Sequence, residues 1–323
     1  MLPRASSSHY RTQQRLQVLT RRQVRRLWRR MGSDFDVGWS GIRGPLMAAV
    51  AAAQLQAARA GAESIARVLR ETRQSVDPEG QVQPQALVGV ASDGRPLESL
   101  LYGGVTHAKQ AVDAGESPPA ALVSGLAYLE AAALTEVADT ARSAAGLAIT
   151  ARPAIGWVRM IHPGACSRCA VLAGRWFRWN QGFDRHPRCM CTHVPAAEDR
   201  ADDFTTDPNR YFDGLNETEQ DRIFTKAGAK AIRDGADIGQ VVNARRGMST
   251  VTDKTGRRRL VTERIGGRDV YITREGITRR GQAYRGRTGR NMRARLMPES
   301  IYEIADGDRD EAVRLLKLHG YLT

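Results

Sequence analysis

The sequence predicts an α+β protein: a mainly α-helical N-terminal module, a Cys/His-rich and loop-rich knuckle, and a C-terminal region of helices with a small β-hairpin. Three observations predict it. Alanine- and leucine-rich segments with helical spacing fill most of residues 32–150. All four cysteines fall between positions 166 and 191. Between Thr250 and Thr273 the pattern changes to short β-branched runs around Gly266-Gly267. A chain of 323 residues with 41% hydrophobic side chains is long enough for two cores. The expected divisions are a basic N-terminal arm and helix (1–31), an α-helical module (32–150), the Cys/His motif (151–200) and a C-terminal part (201–323).

Each element has a local reason. Val24, Leu27, Trp28 and Met31 fall at helical spacing among six arginines, so residues 1–31 read as a polar lead-in and a basic amphipathic helix. Trp28 either packs on the chain's own helices or inserts into a partner. Pro45 suits the first turn of a helix expected over 45–75. Val76 to Gly94 is polar, with turn signals at Asp77-Pro78 and Asp93-Gly94. Ser117 can cap a second helical block, which Leu122, Leu126, Leu129, Ala133 and Val137 continue. Asp202 to Asp213 reads as a polar link. Asn216 and Glu219 form a capping box for a helix through Ile232, which Gly235 ends. Leu260-Val261-Thr262 and Val270 to Thr273 flank the glycine pair as a hairpin. Arg279 to Arg295 reads as a basic loop. Pro298 opens a short helix, and Asp308 with Glu311 caps another that ends at Gly320.

The longest uninterrupted apolar run is Leu46 to Ala53, far short of the ~20 residues of a membrane span. No apolar segment follows the basic N-terminus, so a secretory signal and a membrane anchor are not expected.

The net charge is +14, carried by 44 arginines and only five lysines. The excess sits in two blocks. Residues 1–31 hold nine arginines and no acid, and residues 245–295 hold sixteen basic groups against four acidic ones. Clustered arginine suits a polyanion, either nucleic acid or an acidic protein surface. Arg257, Arg258, Arg259, Arg279, Arg280, Arg285, Arg287 and Arg290 are the expected phosphate contacts for duplex DNA. No base-reading helix is evident among them, so binding without sequence preference is expected.

Cys166-x-x-Cys169 is followed, after nineteen intervening residues, by Cys189-x-Cys191, with His186 three before Cys189 and His193 two after Cys191. Two cysteine pairs at this separation can supply a tetrahedral zinc site, and a loop-rich segment gains from such a clip. The candidate ligands are Cys166, Cys169, His186, Cys189 and Cys191. Two disulfides, or thiols without metal, are the other readings of the same residues. A zinc deaminase is excluded because no H-x-E occurs. A cysteine hydrolase would need one activated thiol near His162, His186 or His193, whereas four clustered thiols look like ligands. P-loop, H-E-x-x-H and G-x-S-x-G motifs are absent. Ser7, Ser8 and His9 are adjacent but fall in an arm expected to be flexible.

At these residues the sequence resembles the MuF-like minor head proteins of tailed phages, named for phage Mu protein F. Cys166, Cys169, Gly174, His186, Pro187, Cys189 and Cys191 match the motif, and Met190 stands where arginine is frequent. Val242 to Gly247, and Met297 to Tyr302 with His319-Gly320-Tyr321, look like phages of actinobacterial hosts. The resemblance is sharp over about 150–200 and looser beyond. It implies a minor capsid, head morphogenesis protein that acts without catalysis. Its implied partners are the portal, scaffold and major capsid proteins, in the head interior of the virion after assembly in the host cytoplasm. A capsid maturation protease, or a zinc-containing nucleic-acid-binding module, are the alternative functions.

Overall fold

The structure, a computed structural model, describes residues 2–162, 165–173, 175–183, 186, 189, 191–204, 207–245, 248, 250–252, 258–260, 262–265, 267–273 and 295–322. Eleven α-helices and eight short strands occur among them. The chain forms two compact units, Met1–His162 with Arg175–Thr205, and Pro163–Gly174 with Thr206–Thr323.

The first unit is built on four helices: α1 (Arg4–Trp28), α2 (Phe35–Glu71), α3 (Leu97–Asp113) and α4 (Pro118–Thr150). Helix α1 starts at Arg4, so Ser7, Ser8 and His9 are helical rather than in a flexible arm, and Ser6, His9, Gln13 and Leu16 form its buried side. Trp28 belongs to the chain's own core, where its indole Nε1 donates to the Leu122 carbonyl at 2.9 Å. Helix α2 begins ten residues before Pro45. Asp34 accepts hydrogen bonds from the Asp36 and Val37 amides, and Phe35, Trp39, Ile42 and Leu46 already lie on the buried side. Pro45 is therefore inside the helix; its ring falls opposite the carbonyl of Gly41, four residues earlier. Helix α3 was not anticipated. Its Leu97, Leu101, Val105 and Ala108 do follow helical spacing, but Gly103-Gly104 interrupts the propensity.

Helix α4 packs against the other three. Ser117 precedes it without making a side-chain cap. Small residues set how closely it approaches. A Cβ on Gly61 of α2 would fall 2.2 Å from the Ala141 carbonyl oxygen, and one on Gly125 of α4 would fall 2.5 Å from that of Gly104. Among the described residues α4 is the one helix long and apolar enough to cross a membrane by length and composition. The eight-residue run at Leu46 underestimated it, because α4 reaches its hydropathy with interspersed Gly, Ser and Thr. In this fold α4 is an interior helix that also buries Glu130, Glu136, Asp139 and Arg142.

A three-stranded antiparallel sheet completes the unit, in the order β2 (Trp176–Phe177), β1 (Ile155–Met160), β3 (Thr192–Ala197). The register runs from Ile155 opposite Ala197 to Met160 opposite Thr192. Ile155 and Trp157 pack on Ile65, Leu69 and Ile149, whereas Val158 and Met160 pack on Val68. Both faces are covered, which is why all six residues of β1 are buried.

The second unit contains α5 (Ser167–Leu172), α6 (Pro208–Asp213), α7 (Glu217–Phe224), α8 (Lys226–Arg233), α9 (Ile238–Ala244), α10 (Pro298–Ala305) and α11 (Arg309–Leu318). The expected polar link over 202–213 ends in a helix, because Asp207 caps the Asn209 amide with Pro208 in the first turn. The capping box at Asn216 and Glu219 is made, but the helix beyond it breaks at Thr225. Thr225 takes φ +70° and starts α8 by accepting from the Gly228 amide. Strands β4 (Thr250–Thr252) and β5 (Arg258–Leu260) pair antiparallel. Strands β6 (Thr262–Ile265) and β7 (Arg268–Thr273) form the expected hairpin, with Gly267 at φ +85° just before β7, and β8 (Arg295–Leu296) adds to β7. Asp308 caps α11 as its spacing predicts.

Burial, followed by the nearby Arg67 charge, holds the His9 pKa down to about 4. Burial, then Arg295 and Arg314, does the same for His319. The unfolded chain takes up these protons near pH 6.5, and the folded chain does not until about pH 4. Stability present above pH 6.5 therefore falls as the pH drops across that window. His9→Gln should flatten the fall between pH 6.5 and 4, measured as the urea midpoint at each pH. An unchanged pH profile would show that His9 is not a source of the acid sensitivity.

Candidate metal centre

The C-x-x-C pair is set by a helix start. Cys166 is extended and immediately precedes α5, its carbonyl accepting from the Ala170 amide, and Cys169 lies in the helix. Three residues apart across a first turn, the two side chains can share one face. The Ala165 carbonyl is tied down by the Tyr211 hydroxyl at 2.9 Å. The second pair follows a turn in which the Cys189 amide donates to the His186 carbonyl at 3.0 Å. Cys191 leads directly into β3.

The five expected ligands form two candidate groups that could hold a metal ion, Cys166 with Cys169 and His186, and Cys169 with Cys189 and Cys191; Cys169 belongs to both. Cys169, Cys189 and Cys191 are buried, while Cys166 and His186 are half-buried. Among the described residues no disulfide links these cysteines. The Cys/His cluster could hold a metal ion, and its soft, mostly sulfur donors suit zinc over calcium or magnesium.

The sequence reading missed the residue that holds the second pair in place. Arg142 of α4 is 6% exposed. Its Nε donates to the Cys191 carbonyl at 2.9 Å, its Nη2 to the Cys189 carbonyl, and its Nη1 to the Asp139 carboxylate one helical turn back. Both carbonyls of the C-x-C pair are thus fixed by one guanidinium, whose charge is matched by a buried aspartate. The local sequence marks Arg142 only through Asp139, because the carbonyls it holds lie 47 and 49 residues away. The signal that was available is an Asp and an Arg at i, i+3 inside an otherwise alanine-rich helix.

His193, two residues past Cys191, is outside both ligand groups. It lies edge-on to Trp157 and beside Phe183, and Arg159 stacks 3.9 Å over the Phe183 ring. Burial, followed by the Arg142 and Arg159 charges, pushes its pKa down to about 3, so the ring is neutral at physiological pH. His193, Asp139 and Ser143 line one cavity of about 280 Å³. Asp139 is engaged by Arg142, and among the described residues His193 Nδ1 has no hydrogen-bond partner.

Of the expected DNA contacts, Arg257, Arg279, Arg280, Arg285, Arg287 and Arg290 lie outside the described residues. Arg258 and Arg259 lie in β5, opposite Thr252 and Val251. Arg295, at the end of the expected basic loop, is instead a buried strut. It donates to the carbonyls of His319 and Gly320 and stacks 3.8 Å over Tyr321.

The shared position of Cys169 predicts unequal effects of substitution. Cys169→Ser should release the metal completely, and Cys166→Ser or His186→Ala should release it in part. Wild-type protein should carry about one zinc per chain by elemental analysis. Arg142→Gln should lower metal retention and cost about 3–5 kcal/mol, because it removes the cation paired with the buried Asp139 carboxylate and the donors that hold the Cys189 and Cys191 carbonyls. Metal-free protein that melts at the same temperature as the wild type would overturn the site.

No curated protein and no solved structure matches the chain. One family does match, over residues 1–218, about two thirds of the chain. The matched span includes α1 to α4, the three-stranded sheet and every candidate metal ligand, and it stops short of the arginine block at 245–295. With that coverage, the chain belongs to the VG15 protein family, a family of phage proteins.

Proposed function

We propose that this chain is a MuF-like minor capsid protein: a head morphogenesis protein of a tailed phage with an actinobacterial host. It acts in assembly, without catalysis, at the portal and inside the head. The observation that carries the reading is the Cys/His set of Cys166, Cys169, His186, Cys189 and Cys191, able to hold a metal ion, within a phage-family chain. These are the positions at which the sequence matches the C-x-x-C and H-P-x-C-x-C motif. A zinc ion bound by these residues would supply folding energy to a loop-rich segment, and Arg142 holds the Cys189 and Cys191 backbone in place for it. The portal, scaffold and major capsid proteins are the partners in this reading. Packaged duplex DNA would meet the arginines at 257–259 and 279–290.

A capsid maturation protease is the competing function, and Ser143, Asp139 and His193 are the residues it would draw on, since they share a cavity. The Asp139–Arg142 pair argues for the assembly role, because it spends the carboxylate on holding the C-x-C backbone. A zinc-containing nucleic-acid-binding module is the third reading.

Mass spectrometry of purified procapsids and virions should find the chain with the portal protein and at uncut length. Its absence from both particles would overturn the assembly role. A protease would instead process the major capsid protein in a manner lost in Ser143→Ala.

The DNA contact makes a separate expectation. Binding to unrelated duplexes should be equal and strongly salt-dependent. Contacts to about five phosphates give a log–log slope near −4.5, at roughly −0.9 per phosphate. Replacing Arg257, Arg258 and Arg259 by Ala should flatten the slope. If the wild-type chain shows no salt-sensitive DNA binding at low ionic strength, the arginines serve protein partners.

A further inference from the structure

The first unit also carries a basic ridge beside an apolar groove, both unconnected with the metal centre. No acidic residue precedes Asp34. Arg11, Arg15, Arg22 and Arg26 are exposed on α1. Their spacings of four, seven and four residues keep them within about 60° of one another on a 3.6-residue helix and along about 22 Å of its length. Among the described residues the ion pairs of α1 engage Arg21 and Arg25, both with Glu130, and leave these four to solvent.

Next to this ridge, α1 and α2 leave a groove of about 340 Å³. Leu16, Leu19, Arg26, Pro45, Ala49 and Ala52 are in its walls. Leu19 is 55% exposed. From Gly44 to Ala58, α2 has no charged residue, although Pro45, Ala48, Ala52 and Gln56 face solvent. A helix surface that stays in water ordinarily carries charge. This one is bare over its central turns, and the cations stand along its bank.

We propose that the α1–α2 groove docks an amphipathic helix of a partner protein. The apolar stripe of that helix lies on Leu19 and the alanine floor, and its acidic flank pairs with Arg11, Arg15, Arg22 and Arg26. Two features select this occupant over nucleic acid. A duplex backbone would use the arginines and leave the uncharged floor without a counterpart. A helix uses both, since a floor of alanines lets its backbone come close while the guanidinium forks grip carboxylates in pairs.

The test is fluorescence anisotropy on the full chain. The probe is a labelled helical peptide of about 18 residues, with leucines at i, i+3, i+4 and i+7 and glutamates along one flank. It should bind with micromolar affinity, and the same peptide with lysines for glutamates should not. Arg22→Glu with Arg26→Glu should weaken binding at least about tenfold. Ala52→Trp fills the groove without changing charge and should do the same, as should Leu19→Glu, which alters an already exposed side chain. Circular dichroism reports whether each variant keeps its helices. Absence of peptide binding to the wild type overturns the proposal, as does binding that persists when Ala52→Trp and Leu19→Glu are folded. If a 20-bp duplex binds instead, and is lost with the arginines but not with the groove variants, the ridge belongs to nucleic acid and the proposal fails.

Discussion

A buried guanidinium has few ways to be stable, and that constraint organises the centre of the first unit. Arg142 sits in helix α4 away from water, so each of its N–H groups must find an acceptor within the fold. It finds a carboxylate on its own helix and two main-chain carbonyls on the C-x-C segment. Removing the aspartate would leave an unpaired charge, and moving the loop would leave unpaired donors. The loop is therefore held to the helix by the cost of leaving it. Strand β3, which begins at the next residue, inherits that position and pairs with β1.

The features legible in the sequence are the ones settled by near neighbours. Asn216 with Glu219, Asp308 with its two acceptor contacts, and the glycine pair between β6 and β7 involve residues within three positions of each other. The cysteine spacing is legible in the same way within each motif, and the two motifs name the five residues that could hold a metal ion. Errors arose where distant contacts overrode a local preference. Pro45 looks like a helix start, but the cap at Asp34 and the buried Phe35, Trp39 and Ile42 extend the helix through it. Thr225 carries no mark of a positive φ, and only its surroundings impose one. Arg295 reads as one more arginine in a basic stretch until Tyr321 and the His319 carbonyl are placed around it. Arg142 was invisible for the same reason.

The two kinds of arginine differ in what surrounds them rather than in their chemistry. Arg142 and Arg295 are enclosed, have their donors filled by carbonyls, and act as struts. The α1 arginines are exposed along a helix with no acid of its own. Composition alone cannot separate these populations. A net charge of +14 therefore overstates what is offered to a partner in some places and says nothing of where the remainder is aligned.

Where Gly61 of α2 meets Ala141 of α4, the two helices touch through residues with almost no side chain. Alanine and glycine give up no rotamer entropy when buried, so ordering this crossing costs backbone freedom alone. The same poverty of side chain means there is little to rearrange there: no long side chain at the crossing can swing aside to let one helix slide over the other. Stress applied at one end of this helix pair should be carried to the other end with little taken up between, as along a stiff rod.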